Sequence, residues 1–443
     1  MGSSKRALTG LSRREFLIMT SLTATGLAMG CATNPVTGKS QFMIMDERQE
    51  IAVDRQHVPH QLSADYGIVQ NRALEDYVQA TGRRIAANTH RSHMPYQFHC
   101  VNANYVNAYA FPGGTIACTR GILLELENEA ALAALLGHEL GHVNARHTAA
   151  SMSRAQLASL AVGGLAILTS VTVGSEAGSL AGQLGSLGSG ALLASYSREN
   201  ERQADGLGME YMTRSGYGPQ GMVSLMEMLN NMNQRQAGVT ELLFATHPMS
   251  SERYETSVRQ AGSDFQQFSG QPIYRERYMD NTAALRKIEG AINRMQAGEE
   301  AMAKEQFSQA EGLFKQGLAD VPDDYTGLLL MAKCQLVQKK YAEAWRFAER
   351  AKQVFPDEAQ AYHISGITRI RAKQYEAALE DFAIYERRLP GNPNTVFFKG
   401  LSLEGMQRIE PAAQAYNAYL QQVQQGKQAQ YAYQRLKEWG YIR

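Results

Sequence analysis

Two histidines and a glutamate in the run His138-Glu139-Leu140-Gly141-His142 have the types and the spacing of a metal-dependent hydrolytic site. Residues four apart project from one face of a helix, so His138 and His142 can both reach one zinc ion at about 2.0–2.1 Å. Glu139 then lies beside the water on that ion, where a carboxylate can act as a general base. Catalytic zinc usually has three protein ligands and one open position, so a third ligand must come from elsewhere.

Glu201 is the candidate for the third ligand, because it begins a second pair with a spacing of four residues, Glu201 and Asp205. Glu201 can ligate the metal while Asp205, one helical turn on, accepts a hydrogen bond from a ligating imidazole and fixes its orientation. Glu199 is rotated about 200° around the same helix and would face away. The histidines that lack ligand spacing or lie off the ligand face are interpreted as structural or solvated: His57, His60, His90, His93, His99 and His147.

His247 stands directly before a proline, in Thr246-His247-Pro248. A residue before proline is held extended, so this ring is expected on a loop. Three roles remain open for it. It can occupy the fourth position on zinc and hold the site inactive until the loop moves; it can stabilise the oxyanion of the tetrahedral intermediate, with Arg253 as a partner; or it can merely cap the next helix. We favour the first role, since a ligand on a mobile loop restrains a hydrolytic site without another protein.

The segments around these residues indicate how they are positioned. From Gly121 the apolar pattern becomes helical and predicts a helix that is buried on most sides and carries the two histidines. Two β-like runs precede it, Tyr96–Val101 and Thr115–Thr119, and a Pro-Gly-Gly turn separates them. Between them, Ala108–Ala110 is either an edge strand that pairs with a substrate backbone or an ordinary buried strand.

The last third of the chain contains a repeat of 34 residues. Alanines recur at that interval, at Ala310, Ala344, Ala378 and Ala412, and prolines recur at Pro322, Pro356 and Pro390. This pattern resembles the tetratricopeptide repeat, in which small residues let paired helices approach closely and proline ends the second helix. A terminal helix around Leu436 is expected to cap the stack.

Further segments extend the likeness to a known family: Asn107–Gly114, Gly121–Leu123, Ser197–Arg198, Ala204–Asp205, Gly216–Tyr217 and Thr246–Pro248. An HExxH helix followed by an ExxxD helix resembles the gluzincin metallopeptidases, and these segments resemble the CAAX-prenyl-protease/HtpX-like family. Its periplasmic members combine a soluble catalytic domain with tetratricopeptide repeats. The resemblance spans roughly residues 45–440. It implies a zinc endopeptidase that cleaves misfolded or misassembled envelope proteins, with repeats that recruit substrates or outer-membrane assembly and quality-control proteins.

A function from another class remains open. The repeat domain can serve as a chaperone or scaffold for the assembly of outer-membrane proteins, with a zinc site that is latent. Lys and Arg total 44 against 43 Asp and Glu, which leaves no basic excess for binding nucleic acid. Cys100 and Cys118 lie in the two β-like runs, where they form either a disulfide or two buried free thiols.

The first residues read as an export signal rather than as part of the fold. The run Ser12–Leu17 resembles a twin-arginine signal, and Ala28-Met29-Gly30-Cys31 resembles a lipoprotein cleavage box that would leave Cys31 acylated. By analogy, Ala32 after the cysteine indicates the outer membrane, so we expect a periplasmic lipoprotein. Residues 157–194, rich in Ala, Gly, Leu and Ser, predict a helical hairpin beside the active site, with a membrane-dipping role as the alternative.

We therefore predict a mainly α fold with a small β-sheet. Its 443 residues exceed one ordinary domain. An export signal at 1–30 and a tether at 31–50 precede a gluzincin-type zinc metallopeptidase domain at 51–285, and an α-solenoid of tetratricopeptide repeats occupies 286–443. One zinc ion per chain and polypeptide substrates are expected.

Overall fold

A computed structural model describes residues 31–161, 195–235 and 238–442 of the chain. The predicted fold class is confirmed: the described residues are mainly helical, with a two-stranded hairpin and a three-stranded sheet. The predicted export signal and most of the predicted hairpin at 157–194 lie outside the described residues. Within the described part of the chain, none of the helices has the length and the apolar character needed to cross a membrane.

The elements are numbered in chain order. The strands are β1 (Cys31–Thr33), β2 (Ser40–Phe42), β3 (Gln97–Val101), β4 (Ala108–Ala110) and β5 (Thr115–Thr119). The helices of the N-terminal domain are α1 (Glu47–Ala64), α2 (Arg72–Ala86), α3 (Arg120–Glu125), α4 (Glu129–Asn144), α5 (His147–Ala161), α6 (Arg198–Arg214), α7 (Gln220–Arg235), α8 (Glu241–Thr246), α9 (Ser251–Gly262) and α10 (Arg275–Lys287). The helices of the repeat domain are α11 (Glu289–Ala303), α12 (Phe307–Asp320), α13 (Tyr325–Val337), α14 (Tyr341–Val354), α15 (Gln360–Arg371), α16 (Tyr375–Arg388), α17 (Pro393–Gly405), α18 (Ile409–Gln422) and α19 (Lys427–Glu438).

The segment 31–50, which we predicted to be a tether, is folded onto the N-terminal domain. Strand β1 pairs antiparallel with β2. The side-chain amide of Asn34 donates to the carbonyl oxygen of Ala145, 3.2 Å away, and Met43 is buried against Ala149. The tether prediction is wrong because Asn34 and Met43 have fixed partners in the domain, even though much of the segment is exposed.

The three-stranded sheet has the order β3-β5-β4, with β3 parallel and β4 antiparallel to β5. The predicted Pro-Gly-Gly turn joins β4 to β5, and Gly114 has a φ of +111°, a conformation that favours glycine. Strand β4 lies at the edge of the sheet, yet Ala108, Tyr109 and Ala110 are all buried. It therefore combines the two alternatives: its position is that of an edge strand, and its side chains are covered.

Cys100 and Cys118 lie opposite each other on β3 and β5. Both are buried free thiols, and burial raises the pKa of Cys100 well above its ordinary value. Of the two alternatives left open by the sequence, the structure has the pair of buried thiols.

Helix α4 lies at the centre of the N-terminal domain, with all of its residues buried. It packs closely against α6, because small residues face each other where the two helices meet. A Cβ atom added to Gly208 would lie 2.9 Å from the backbone nitrogen of His138, and one added to Gly141 would lie 3.0 Å from the Cα atom of Ala204. Any larger side chain at these points would push the helices apart.

The repeat domain consists of paired antiparallel helices from α11 to α18, followed by α19. Ala310, Ala344, Ala378 and Ala412 are fully buried where the helices pack. Glycines of three first helices each face an aromatic ring sixteen residues later, with no room for a Cβ atom: Gly298 and Phe314, Gly366 and Phe382, Gly400 and Tyr416. The 34-residue period thus corresponds to one packing contact that recurs in three of the four helix pairs; in the second pair, Ala332 and Ala348 stand at these two positions.

The repeat domain packs on the β-sheet side of the N-terminal domain, and one apolar core includes residues of both, among them Tyr109 and Leu329. Thr326 donates to the carbonyl oxygen of Asn102 at 2.9 Å. Arg120 and Asp324 form a two-bond ion pair across the interface, with N–O distances of 2.6 and 3.1 Å, and both side chains are almost fully buried. This buried charge pair links the two domains.

Asp324→Ala should lower the free energy of unfolding by about 3–5 kcal/mol, because it leaves the Arg120 guanidinium buried without its counter-charge. The same carboxylate also caps α13 by accepting from Gly327, and that contact is lost as well. Urea denaturation measures the change. The neighbouring Asp323 is a matched control, since it pairs with Arg350 on the surface and both side chains are about half exposed. Asp323→Ala should cost less than about 1 kcal/mol; equal losses in the two variants would contradict the assigned role of the buried pair.

Candidate metal centre

The predicted ligands on helices lie on α4 and α6, and a capping residue fixes where each of these helices begins. Asn128 caps α4 by accepting from the backbone of Ala131, and Ser197 caps α6 through a reciprocal pair of contacts with Asn200. Glu201 follows in the first turn of α6, where the helix dipole favours a negative charge. Glu199 is exposed, as expected for the opposite face of that helix.

Four buried side chains meet at one point between these helices and the segment after α8. His138, His142, Glu201 and His247 each offer one ligand atom, and these atoms all lie within 4.8 Å of one another. The Nε2 atoms of His138 and His142 are 3.0 Å apart, and Glu201 Oε1 is 3.2 Å from His142 Nε2. His247 Nδ1 is 3.2 Å from the same Oε1 atom and 3.4 Å from His138 Nε2.

These distances and donor types fit a tetrahedral metal ion. Ligands at about 2.0–2.1 Å from such an ion are separated from one another by about 3.3–3.4 Å, close to the values observed. The four groups are all buried, and each offers one possible ligand atom to the same point. Lone pairs on these atoms repel one another unless protons or a cation lie among them, and one divalent cation satisfies all four atoms at once. The donor set of imidazoles and one carboxylate suits a divalent transition metal.

Glu139 lies next to this cluster and is 1% exposed. Its Oε1 atom is 3.8 Å from His247 Nε2, and its Oε2 atom has no hydrogen-bond partner among the described residues. Burial raises the pKa of Glu139 above its ordinary value, against the opposing effect of His247 and His138. A buried carboxyl group with a free oxygen beside the ligands is suited to exchange a proton with a bound reactant.

Asp205 lies behind His138, with Oδ1 2.9 Å from His138 Nδ1. Arg253 forms two contacts of 2.7 Å with the same carboxylate and lies 2.8 Å from Glu201 Oε2. Burial opposes the charge on Asp205, but Arg253 outweighs it and holds the pKa of that carboxyl below its ordinary value. We had considered Arg253 as an oxyanion donor; its guanidinium is engaged by the two carboxylates and by the carbonyl oxygen of Pro248. The pairing of Arg253 with Asp205 has no signal in the sequence.

His247 follows α8 on the segment before Pro248 and is 5% exposed. Its ring lies among the ligand atoms, so the sequence-based alternative of a mere helix cap does not describe its contacts. The backbone N–H of Tyr196 donates to the carbonyl oxygen of Thr246 at 3.0 Å. The Tyr196 ring also stacks on His142, with 3.7 Å between ring centroids. Tyr196 thus contacts both the segment of His247 and a ligand candidate, a role that the sequence did not indicate.

His147 was interpreted as structural or solvated, and the solvated alternative is wrong. Its ring is 4% exposed, and Nδ1 lies 3.0 Å from His142 Nδ1. Burial lowers the pKa of His147 to about 4. The turn between α4 and α5, with Arg146 at a φ of +60°, brings this ring back beneath His142. A spacing of five residues along one helix would have placed it elsewhere.

Comparisons with known proteins agree with this geometry. Residues 72–259 match the family Peptidase family M48, and residues 301–364 match a tetratricopeptide repeat family. The beta-barrel assembly-enhancing protease of Yersinia pestis is 26% identical over 404 residues, which cover 86% of this chain and 83% of that protein.

Two relatives from Escherichia coli (strain K12) align over shorter stretches. The protein named beta-barrel assembly-enhancing protease is 28% identical over 234 residues, 52% of this chain and 47% of that protein, so the aligned region spans about half of its length. Metalloprotease YcaL is 33% identical over 159 residues, 36% of this chain and 59% of that protein.

The family resemblance stated from the sequence is confirmed by these matches, and the enzyme class with it. The chain is a metallopeptidase with an M48 peptidase domain followed by tetratricopeptide repeats, an organisation similar to that of the beta-barrel assembly-enhancing protease (BepA) type.

Proposed function

We propose that this chain is a zinc-dependent endopeptidase of the bacterial envelope that hydrolyses peptide bonds in misfolded or misassembled envelope proteins. The observation that carries the proposal is the convergence of His138, His142 and Glu201 beside Glu139, a carboxyl group that is not part of the ligand cluster. Several relatives bear the name of a protease that enhances β-barrel assembly, which supports a client in the outer-membrane assembly pathway.

The ligands proposed for zinc are His138, His142 and Glu201, with Asp205 behind His138. One carboxylate and neutral imidazoles at tetrahedral spacing form a set that zinc favours. When bound, zinc supplies a Lewis acid that polarises a peptide carbonyl and makes a water molecule acidic near neutral pH. Asp205, held by Arg253, fixes the tautomer of His138 that leaves Nε2 free to ligate.

Glu139 is proposed as the general base and acid. Its buried Oε2 atom accepts a proton from the attacking water and then delivers that proton to the leaving amine. Because the side chain is almost fully buried and lies on the central helix, its oxygen is held in place relative to the reacting atoms.

A recess beside Glu139 supports the proposal that the enzyme prefers apolar substrate segments. Apart from Glu139, Arg253 and two of the histidines, its wall is apolar: Ile122, Leu135, Leu225, Met226, Leu229, Leu243 and Phe244. The recess is about 20 Å³ as it stands, so an apolar substrate side chain would enter it and be desolvated there only after the segment of His247 has moved. Misfolded proteins expose apolar segments that folded proteins bury, so such a recess favours them as clients.

His247 is proposed as a fourth ligand that restrains the enzyme. Its Nδ1 atom lies 3.2 Å from Glu201 Oε1 and 3.4 Å from His138 Nε2, so the cluster is closed rather than open. A closed tetrahedral site leaves no position for water. Movement of the segment that carries Leu243, Phe244 and His247 would open both the fourth position and the apolar recess.

The repeat domain is proposed to recruit substrates or outer-membrane assembly and quality-control proteins. Its first units already contact the N-terminal domain, through Thr326 and Asp324 among others. The aromatic residues at its C-terminal end are more accessible, with Tyr433 50% and Tyr441 51% exposed. Exposed aromatic side chains are frequent at protein interfaces.

We place the chain in the periplasm, with Cys31 acylated in the outer membrane.

A chaperone or scaffold remains the second candidate function. The closed ligand cluster favours it, since a fourth protein ligand is typical of structural zinc sites. The variants below separate the two candidates.

Glu139→Gln should retain one zinc ion per chain and lose casein cleavage, because the ligands stay intact while the base is removed. Glu201→Ala should lose zinc as well as activity, and Asp205→Ala should lose less, with affinity about 10–100-fold lower. Zinc content by emission spectroscopy and casein cleavage are measured on the same preparations. Glu199→Gln, an exposed glutamate on the same helix as Glu201, is the control. Unchanged turnover in Glu139→Gln would exclude the assigned base, and full zinc content in Glu201→Ala would require another third ligand.

His247→Ala should raise the rate of casein cleavage if the side chain blocks the fourth position. If His247 instead stabilises the oxyanion, the variant should cleave casein more slowly, with a loss of rate on the order of 10²-fold. Initial rates are compared at equal zinc content, and His93→Ala, an exposed histidine in the same domain, serves as the control. Rates within twofold of the wild type would exclude both roles.

Cys31→Ser should leave the protein unacylated and recovered in the soluble periplasmic fraction, because a thioether-linked lipid needs the cysteine sulfur. Fractionation of cells and mass spectrometry of the N-terminus measure the outcome. Retention of the variant in the membrane pellet would point to another anchor, for which the segment 157–194 is the first candidate.

A further inference from the structure

A continuous hydrogen-bonded chain runs from His142 away from the ligand cluster. His142 Nδ1 lies 3.0 Å from His147 Nδ1, and His147 Nε2 lies 3.0 Å from the side-chain oxygen of Gln203. His142 is fully buried and His147 is 4% exposed. Gln203 belongs to α6, two residues after Glu201. These hydrogen bonds therefore connect α4, which carries His142, to α6, which carries Glu201.

The two ends of this chain fix the positions of its protons. The side-chain oxygen of Gln203 can only accept, so His147 Nε2 must carry a proton. His142 Nε2 faces the proposed ligand cluster and must be without a proton to ligate, so the proton of His142 is on Nδ1 and His147 Nδ1 accepts it. That Nε2 atom lies 3.0 Å from His138 Nε2 and 3.2 Å from Glu201 Oε1.

The two ligand histidines are therefore held by different kinds of partner. His138 is oriented by the carboxylate of Asp205, which is backed by Arg253. His142 has no carboxylate on its outer nitrogen and is oriented by a neutral ring. The position of that ring depends on the turn between α4 and α5, where Arg146 contacts Glu50 at 2.8 Å and the carbonyl oxygen of Met45 at 2.7 Å.

We propose that His147 is a positioning residue of the metal centre: it holds His142 in the tautomer and orientation that present Nε2 to the ion, with Gln203 as the anchor. His147 lies behind the ligand and is not proposed to touch the substrate. The inference rests on the proposed metal site, which supplies the reason for a fixed tautomer at His142. Tyr196 stacks on the same ring and restricts its plane, but a stacked ring does not select a tautomer.

The test compares two replacements of His147 in the full chain. His147→Phe fills a similar volume and has no acceptor, whereas His147→Asn places an amide oxygen near the position of Nδ1. Zinc affinity is measured by competition with a chromophoric chelator, and the absorption of the Co²⁺-substituted protein reports the geometry of the ligands. Thermal unfolding of the metal-free protein is recorded for each variant, so that a loss of folding is recognised.

We expect His147→Phe to weaken zinc affinity about 10–100-fold and to alter the Co²⁺ spectrum, and His147→Asn to restore most of the loss. His90→Phe, which removes a histidine hydrogen bond to Tyr211 outside the centre, should leave both readouts unchanged. Zinc affinity within twofold of the wild type in His147→Phe would overturn the inference. Equal losses of zinc affinity in both variants, together with a loss of thermal stability of the metal-free protein, would also overturn it. A role in packing alone predicts that result. Failure of the wild type to bind zinc would instead remove the proposed function and this inference with it.

Discussion

The close approach of α4 and α6 is the constraint on which the metal centre depends. Two ligand candidates lie on α4 and one on α6, and their atoms can meet only if the backbones of the two helices are nearly in contact. Gly141 and Gly208 allow this, since a Cβ atom at either would collide with the opposite backbone or come within 3.0 Å of it. A chain with larger residues there would keep the same ligand types and spread them too far apart for one ion.

The surroundings of the ligands are as specific as the ligands themselves. Every group in the cluster is buried, so each polar atom that faces it needs a defined partner. Asp205 and Arg253 provide a charged partner for His138, and His147 provides a neutral partner for His142. The same helix, α6, carries Glu201, Gln203 and Asp205, so one helix supplies a ligand, the outer contact of His138 and the residue that anchors His147 behind His142. Displacement of α6 would therefore affect every part of the centre together.

The repeat domain is joined to the N-terminal domain by a continuous apolar core and by the buried pair of Arg120 and Asp324. Repeat domains usually offer an extended concave surface to partners. Here the first units contact the neighbouring domain of their own chain, and the more exposed aromatic residues, Tyr433 and Tyr441, lie at the C-terminal end. Of the edge strand β4, Tyr109 belongs to the apolar core shared with the repeat domain, whereas Ala108 and Ala110 pack in the core of the N-terminal domain.

The sequence determined those features that depend on local spacing. Pairs of residues four apart identified His138, His142, Glu201 and Asp205, and the 34-residue period identified the repeats, because helical geometry and repeated packing contacts leave a regular signal in one dimension. Tertiary structure alone decided the partners that come from distant segments. The pairing of Arg253 with Asp205, the contact of His147 with His142 and the stacking of Tyr196 each join segments with no common period. The folding of residues 31–50 onto the domain was missed for the same reason: a polar segment in water and one bonded to a neighbouring helix have the same composition, and only their contacts differ.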